Sequence, residues 1–194
     1  MDRREFFRRS FKKATDTAVQ HVDEKVREKA QHWIRPPFAI NEIEFILACT
    51  RCDACIEACP HQTIFPLASR LGAGVVNTPA LDLLNKGCHL CEDWPCVNAC
   101  EPNALVLPEV EQSATIEPPV IARAEIDTTT CLPFSGPECG ACVPLCPVEG
   151  ALVLEREKPV IKHDICVGCG LCREACIIEP KAIKITSIAS HSAD

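Results

Sequence analysis

Phe7, Phe11, Ala14, Ala18, Val22, Val26, Ala30 and Trp33 recur at three- and four-residue steps. That period is one face of an amphipathic helix, and Pro36-Pro37 stops it. Beyond the prolines the pattern changes. Short β-prone pieces occur at Ala104–Leu107, Val120–Ile126, Ala151–Leu154, Pro159–Lys162 and Ala182–Thr186, each predicted to pair in a hairpin. No stretch approaches the roughly 18 consecutive apolar residues that a membrane span needs. The elements point to an α+β fold of short helices and hairpins with one longer helix appended.

The short strands are separated by a repeat. From Cys49 to Cys176 the chain carries four cysteine runs. The first is Cys49, Cys52, Cys55 and Cys59-Pro60; the second is Cys88, Cys91, Cys96 and Cys100. The third is Cys131, Cys139, Cys142 and Cys146-Pro147; the fourth is Cys166, Cys169, Cys172 and Cys176. Each run is predicted to lead into a short helix, and the internal repeat sets the architecture.

Composition sharpens this picture. The 194 residues include 16 Cys but 7 Phe, 2 Trp and no Tyr, so aromatic core material is thin. About 8% Cys is close to the level of a cross-linked scaffold. Charge divides the chain: residues 1–37 hold ten Lys/Arg and six Asp/Glu, net +4, and the remainder holds ten and twenty-one, net −11. The acidic remainder argues against nucleic acid, which wants a basic face. The basic arm, with Arg3, Arg4, Arg8, Arg9, Lys12 and Lys13, either packs on the protein or docks on an acidic partner or membrane surface. Arg3-Arg4-Glu5-Phe6-Phe7 resembles a twin-arginine export motif. The charged Lys12, Lys13, Asp16, Asp23, Glu24 and Lys25 follow, where such a signal has an apolar stretch. The expected location is cytoplasmic, the alternative being the periplasmic face through twin-arginine-like export.

Three chemistries use many cysteines: disulfides, zinc and iron–sulfur clusters. Disulfides fit small secreted proteins with a cleavable signal. Zinc knuckles pair C-x2-C units, often with His, whereas these cysteines come in quadruplets and the six His do not recur with them. His61 and His89 read as exposed loop residues. A cubane cluster needs one thiolate at each of four irons. Two-residue gaps let three thiolates converge from one loop, and a fourth Cys three residues on points to a neighbouring cluster. Runs one and four have that spacing; Glu92–Pro95 widens the middle gap of run two, and Leu132–Glu138 the first gap of run three. Sixteen cysteines then close on four 4Fe-4S clusters.

The 19 residues between Cys146 and Cys166 make a short hairpin, Gly150–Asp164, matching a compact two-cluster ferredoxin unit. Runs three and four should thus pair, as should runs one and two. The expected ligand sets are Cys49, Cys52, Cys55 and Cys100; Cys88, Cys91, Cys96 and Cys59; Cys131, Cys139, Cys142 and Cys176; and Cys166, Cys169, Cys172 and Cys146. A nested pairing, run one with four and two with three, is the alternative. The domains expected are a basic helical arm (1–37), two ferredoxin-like two-cluster modules (38–118 and 119–186) and a flexible tail (187–194). Gly168, Gly170 and Gly140 permit the tight turns of the loops. Ile56, Val97, Val143, Val167 and Leu171 exclude water from them.

Ile34-Arg35-Pro36-Pro37, Cys49-Thr50-Arg51-Cys52-Asp53-Ala54-Cys55 and the stretch from Cys88 through Trp94-Pro95 to Cys100 carry a further signal. The chain resembles the ferredoxin-type proteins of the periplasmic nitrate reductase group and their methylamine-utilisation relative, across about residues 34–186. The long gap from Cys131 to Cys139 recurs there. The resemblance implies either an exported protein that passes electrons from a quinol-oxidising membrane protein, or a cytoplasmic one tied to assembly of a molybdenum-containing subunit. This sequence lacks the apolar export segment of the first type, and its run two carries the Trp94-Pro95 insertion absent from the second.

No motif for a second chemistry appears, since Gly72-Ala73-Gly74 lacks the rest of a dinucleotide fingerprint. The expected function is non-catalytic: an electron carrier with a redox protein partner in a respiratory, nitrate-reductase-type system. The alternative is a cytoplasmic maturation or docking factor whose basic arm binds a molybdenum oxidoreductase subunit.

Overall fold

The computed structural model describes residues 33–109 and 116–188. The predicted amphipathic helix, apart from Trp33, and residues 189–194 of the tail lie outside the described residues. The elements are α1 (Glu42–Ala48), α2 (Ala54–Glu57), β1 (Ile64–Pro66), β2 (Pro79–Leu81), α3 (Pro95–Asn98), β3 (Arg123–Ile126), α4 (Leu132–Ser135), β4 (Leu152–Glu155), β5 (Lys158–Ile161), α5 (Leu171–Glu174) and β6 (Ile183–Thr186). Short helices and short antiparallel pairs make a ferredoxin-type α+β fold.

Three two-stranded sheets form, β1–β2, β3–β6 and β4–β5, all antiparallel. The β4–β5 hairpin is the one expected within Gly150–Asp164. Its turn residues Arg156 and Glu157 have φ of 51° and 67°, the doubly left-handed geometry that matches strand twist. The other three pieces, Ala182–Thr186 among them, do not form hairpins. Val120–Ile126 contributes β3, which pairs across runs three and four with β6, Ile126 opposite Ile183. Ala104–Leu107 makes one bridge, Leu105 to Ala39, across runs one and two. The same plan thus occurs twice: a pairing that spans two runs, with a hairpin between them. The β1–β2 hairpin carries no strand signal in the sequence, because prolines stand at Pro66 and Pro79, where strands are usually demoted.

Three runs lead into a one-turn helix, as expected: α2, α3 and α5 lie over the third cysteine of runs one, two and four. Run three has none there, and its insertion holds α4 instead. Each of α2, α3 and α5 follows a left-handed residue: Asp53 (φ 61°), Trp94 (43°) and Gly170 (83°). A second left-handed position, two residues after the first cysteine, holds Arg51, Leu90 and Gly168. Glycine supplies this conformation without strain only in run four. Gly140 is not among the positive-φ glycines, so its predicted turn role is not realised.

One continuous apolar core joins Phe45, Ile64, Leu81, Trp94, Leu105, Ile121, Leu152, Leu171 and Ile183 with Cys55, Cys96, Cys142, Cys169 and Cys172. Trp94 meets Phe38 edge-on at 4.8 Å. At the amino end, Arg35 is held from all sides. Its guanidinium donates to both Glu42 carboxylate oxygens (2.9 and 2.6 Å), to Thr78 Oγ1 (2.8 Å) and to the Pro79 carbonyl (2.7 Å). It also lies over the Phe45 ring at 4.6 Å. Arg35→Ala removes the charge partner of the Glu42 carboxylate, whose side chain is only 20% exposed, leaves it the Trp33 Nε1–H at 3.2 Å, and is expected to cost roughly 3 kcal/mol. Urea unfolding of the iron-loaded protein measures it; a loss below about 1 kcal/mol, the range of surface pairs, would contradict the buried-pair account.

Candidate iron–sulfur sites

The cysteines are where the fold's loops converge. All sixteen are free thiols, and twelve of them line three cavities in groups of four. One cavity is lined by Cys49, Cys52, Cys55 and Cys100. A second is lined by Cys59, Cys88, Cys91 and Cys96. A third is lined by Cys131, Cys139, Cys142 and Cys176. The loops differ by insertions, and these add to the walls: Trp94 and Pro95 line the second cavity, and Leu132 and Pro133 of α4 line the third. Cys146, Cys166, Cys169 and Cys172 stand within electrostatic reach of one another. Each group takes three thiols from one run and the fourth from its neighbour.

The walls are apolar: Phe45 and Leu105 at the first cavity, Ile64 and Leu81 at the second, Ile126 and Ile183 at the third. Burial, reinforced by neighbouring thiols, pushes Cys55, Cys96, Cys169 and Cys172 up to about 12, and burial pushes Cys88 and Cys142 up to about 11. Backbone N–H groups oppose this. Those of Leu90, Gly168 and Leu171 donate to the thiols of Cys88, Cys166 and Cys169, and the Leu105 N–H donates to Cys100 Sγ at 3.4 Å. Such donors stabilise negative charge on cysteine sulfur. Leu90 and Gly168 are themselves left-handed positions, and Leu171 follows the left-handed Gly170.

His61 and His89, expected as exposed loop residues, stack face to face with centroids 3.5 Å apart and planes 7° apart. Burial and the facing His61 ring hold His89 below the ordinary imidazole range. Their rings line the mouth of the second cavity. Neither histidine recurs at another run, which is why spacing did not single them out.

A single zinc ion needs donors meeting about 2.3 Å from one point. These thiols stand around a void instead, and among the described residues no three His, Cys, Asp or Glu side chains converge on one ion. Four soft donors, apolar walls and N–H groups aimed at sulfur fit an iron–sulfur group. When bound, that group supplies one-electron chemistry. The chain holds it, keeps water away and stabilises charge at the ligand sulfurs.

The supporting turns carry their own interactions. The Asp127 carboxylate accepts from Thr129 N–H (3.0 Å) and Lys184 Nζ (2.9 Å), and its carbonyl accepts from Cys131 N–H (3.0 Å), fixing the start of run three. Those bonds, led by Thr129, hold the carboxyl down at about 2. A lowered folded value stabilises fully above the ordinary carboxylate range and is lost from about pH 4 downward. Asp127→Ala is therefore expected to lower the thermal midpoint of the iron-loaded protein by the same amount at pH 5 and pH 8. A deficit that changes across that window would contradict the assignment.

These features define a ferredoxin-type iron–sulfur protein of electron transport. The comparisons agree. The chain is 35% identical over 170 residues to the ferredoxin-type protein NapG of Escherichia coli (strain K12), covering 80% of this chain and 71% of that one. It is 34% identical over 163 residues to the methylamine utilization ferredoxin-type protein MauM of Paracoccus denitrificans (strain Pd 1222), covering 78% and 70%. It is also 30% identical over 154 residues to the ferredoxin-type protein NapF of Escherichia coli (strain K12), covering 76% and 82%. The chain belongs to this NapG, MauM and NapF family of ferredoxin-type proteins. No family model matches it, and no solved structure does. No helix among the described residues is long and apolar enough to cross a membrane.

Proposed function

We propose that the chain carries four 4Fe-4S clusters and passes single electrons between protein partners. The observation that carries this is the grouping of the sixteen thiols as three from one run and one from its neighbour, repeated. That grouping supports the exchanged ligand sets over nested pairing. Cys49, Cys52, Cys55 and Cys100 hold the first cluster, and Cys88, Cys91, Cys96 and Cys59 the second. Cys131, Cys139, Cys142 and Cys176 hold the third, and Cys166, Cys169, Cys172 and Cys146 the fourth. The repeated pairing plan supports two two-cluster modules, residues 38–118 and 119–186. The likeness to NapG and MauM supports a place beside an oxidoreductase subunit or a quinol-oxidising membrane protein of the nitrate reductase type.

Anaerobic metal and sulfide analysis tests the cluster content. The expected result is about sixteen iron and sixteen acid-labile sulfide per chain, with on the order of four electrons taken up on reductive titration. One or two zinc without sulfide would overturn the reading. The carrier role is tested by mixing the reduced protein with an oxidised one-electron acceptor protein. A protein with full iron whose spectrum does not bleach and recover would carry clusters for another purpose, such as docking or maturation.

A further inference from the structure

The loop that leads into run two lies against run four. Leu83 is 2% exposed and packs on Gly170, where an added Cβ would stand 3.3 Å from the Leu83 Cβ. At Gly87 a Cβ would stand 2.6 Å from the Leu171 backbone N, so the two backbones touch there. Polar contacts fix the approach. The Cys88 N–H donates to the Cys169 carbonyl at 2.7 Å. The Gly87 N–H donates to Glu174 Oε2 at 2.7 Å, and Arg173 Nε donates to the Leu84 carbonyl at 3.0 Å. Thr63 Oγ1 holds the Gly87 carbonyl from the other side at 3.0 Å.

The second and fourth thiol groups therefore share a wall, with Cys88 and Cys169 on its two sides. Within the first half, Cys55 and Cys96 stand within electrostatic reach. Within the second half, Cys142 and Cys172 do. Each adjacent pair of groups is joined by one such cysteine pair.

We infer that the electron path follows the order first, second, fourth, third site, crossing between the halves at Cys88 and Cys169, with Gly87 and Glu174 as the positioning residues of that crossing. The inference rests on the four-cluster reading. It differs from chain order, which would set the third run beside the second. Transfer between redox groups falls steeply with separation, so the direct backbone contact between the halves at Cys88 and Cys169 sets where electrons cross. The ends of the path are the site holding the exposed Cys52 and the site walled by Ile177, which is 71% exposed. Partners load and unload the chain there.

The test uses the iron-loaded full chain, fully reduced, with magnetic coupling between neighbouring reduced clusters read by EPR. Removing an inner site isolates an outer one. Cys91→Ala with Cys96→Ala is expected to give one uncoupled spin beside a coupled pair. Removing an outer site does not: Cys131→Ala with Cys139→Ala is expected to leave three spins in a coupled line. The opposite pattern overturns the order. Gly87→Val keeps all sixteen cysteines and is expected to retain iron while the spins fall into two coupled pairs; four spins still coupled as in the parent would remove Gly87 from the crossing. Should the ligand variants fail to fold, pulsed EPR on the unaltered protein decides the order from relaxation. Two fast-relaxing inner spins and two slower outer ones support it, and four alike oppose it. Iron analysis separates the two failures: fewer than four clusters overturns the function, and four clusters coupled in another order overturn only the path.

Discussion

Chelating the iron anaerobically is expected to unfold most of residues 33–188, with amide protection in β3–β6 and β4–β5 lost. The described residues have little else to hold them. Among them, apart from the seven-residue α1, each α-helix is four residues and each strand three or four. Helices that short do not persist alone, and an isolated two-stranded pair is at best marginal. The main core contains two large aromatic side chains, Phe45 and Trp94, against five buried cysteines. Without iron, those five are protonated thiols whose values burial pushes up to about 11 or 12, and three of them, Cys55, Cys96 and Cys142, border cavities. Inserting a cluster displaces their protons and fills the void, so binding free energy becomes folding free energy. Hydrogen exchange followed by mass spectrometry reads the result. An iron-free chain that kept native protection in β3–β6 would show that the apolar core suffices without its cofactor.

The chemistry was legible in the sequence because cluster ligation is local: three thiolates two residues apart need only a tight loop. The β4–β5 hairpin was legible for the same reason. The pairing of β3 with β6 was not, since Ile126 and Ile183 are 57 positions apart and nothing in either strand names the other. Hairpin β1–β2 was hidden by Pro66 and Pro79, which local propensity counts against a strand. The turn conformations were legible only where glycine stands. Arg51, Asp53, Leu90 and Trp94 adopt the left-handed region that Gly168 and Gly170 adopt in run four. The loop's hydrogen bonds impose that geometry on residues that do not advertise it. The contact of Gly87 with Leu171 belongs to tertiary packing alone.

Exchange of the fourth ligand makes the second large prediction. Cys59 belongs to run one by sequence, yet it borders the cavity of Cys88, Cys91 and Cys96. Cys100 belongs to run two, yet it borders the cavity of Cys49, Cys52 and Cys55. Cys59→Ser replaces a soft thiolate by a hydroxyl that binds iron poorly, at a site whose other three donors lie about thirty residues away. The expected result is loss or conversion of the second cluster, with iron falling by about one to four atoms per chain, while the first cluster keeps its spectrum. Cys100→Ser is expected to do the reverse. The two variants control for each other: a general folding defect would damage both sites in both proteins, whereas exchange damages one site in each, and not the same one. EPR of the reduced variants, with metal analysis, distinguishes the cases. If Cys59→Ser abolished only the signal of the site containing Cys49, Cys52 and Cys55, the cysteine would serve its own run. The reach from Cys59 to the second cavity would then be a feature of packing and not of ligation.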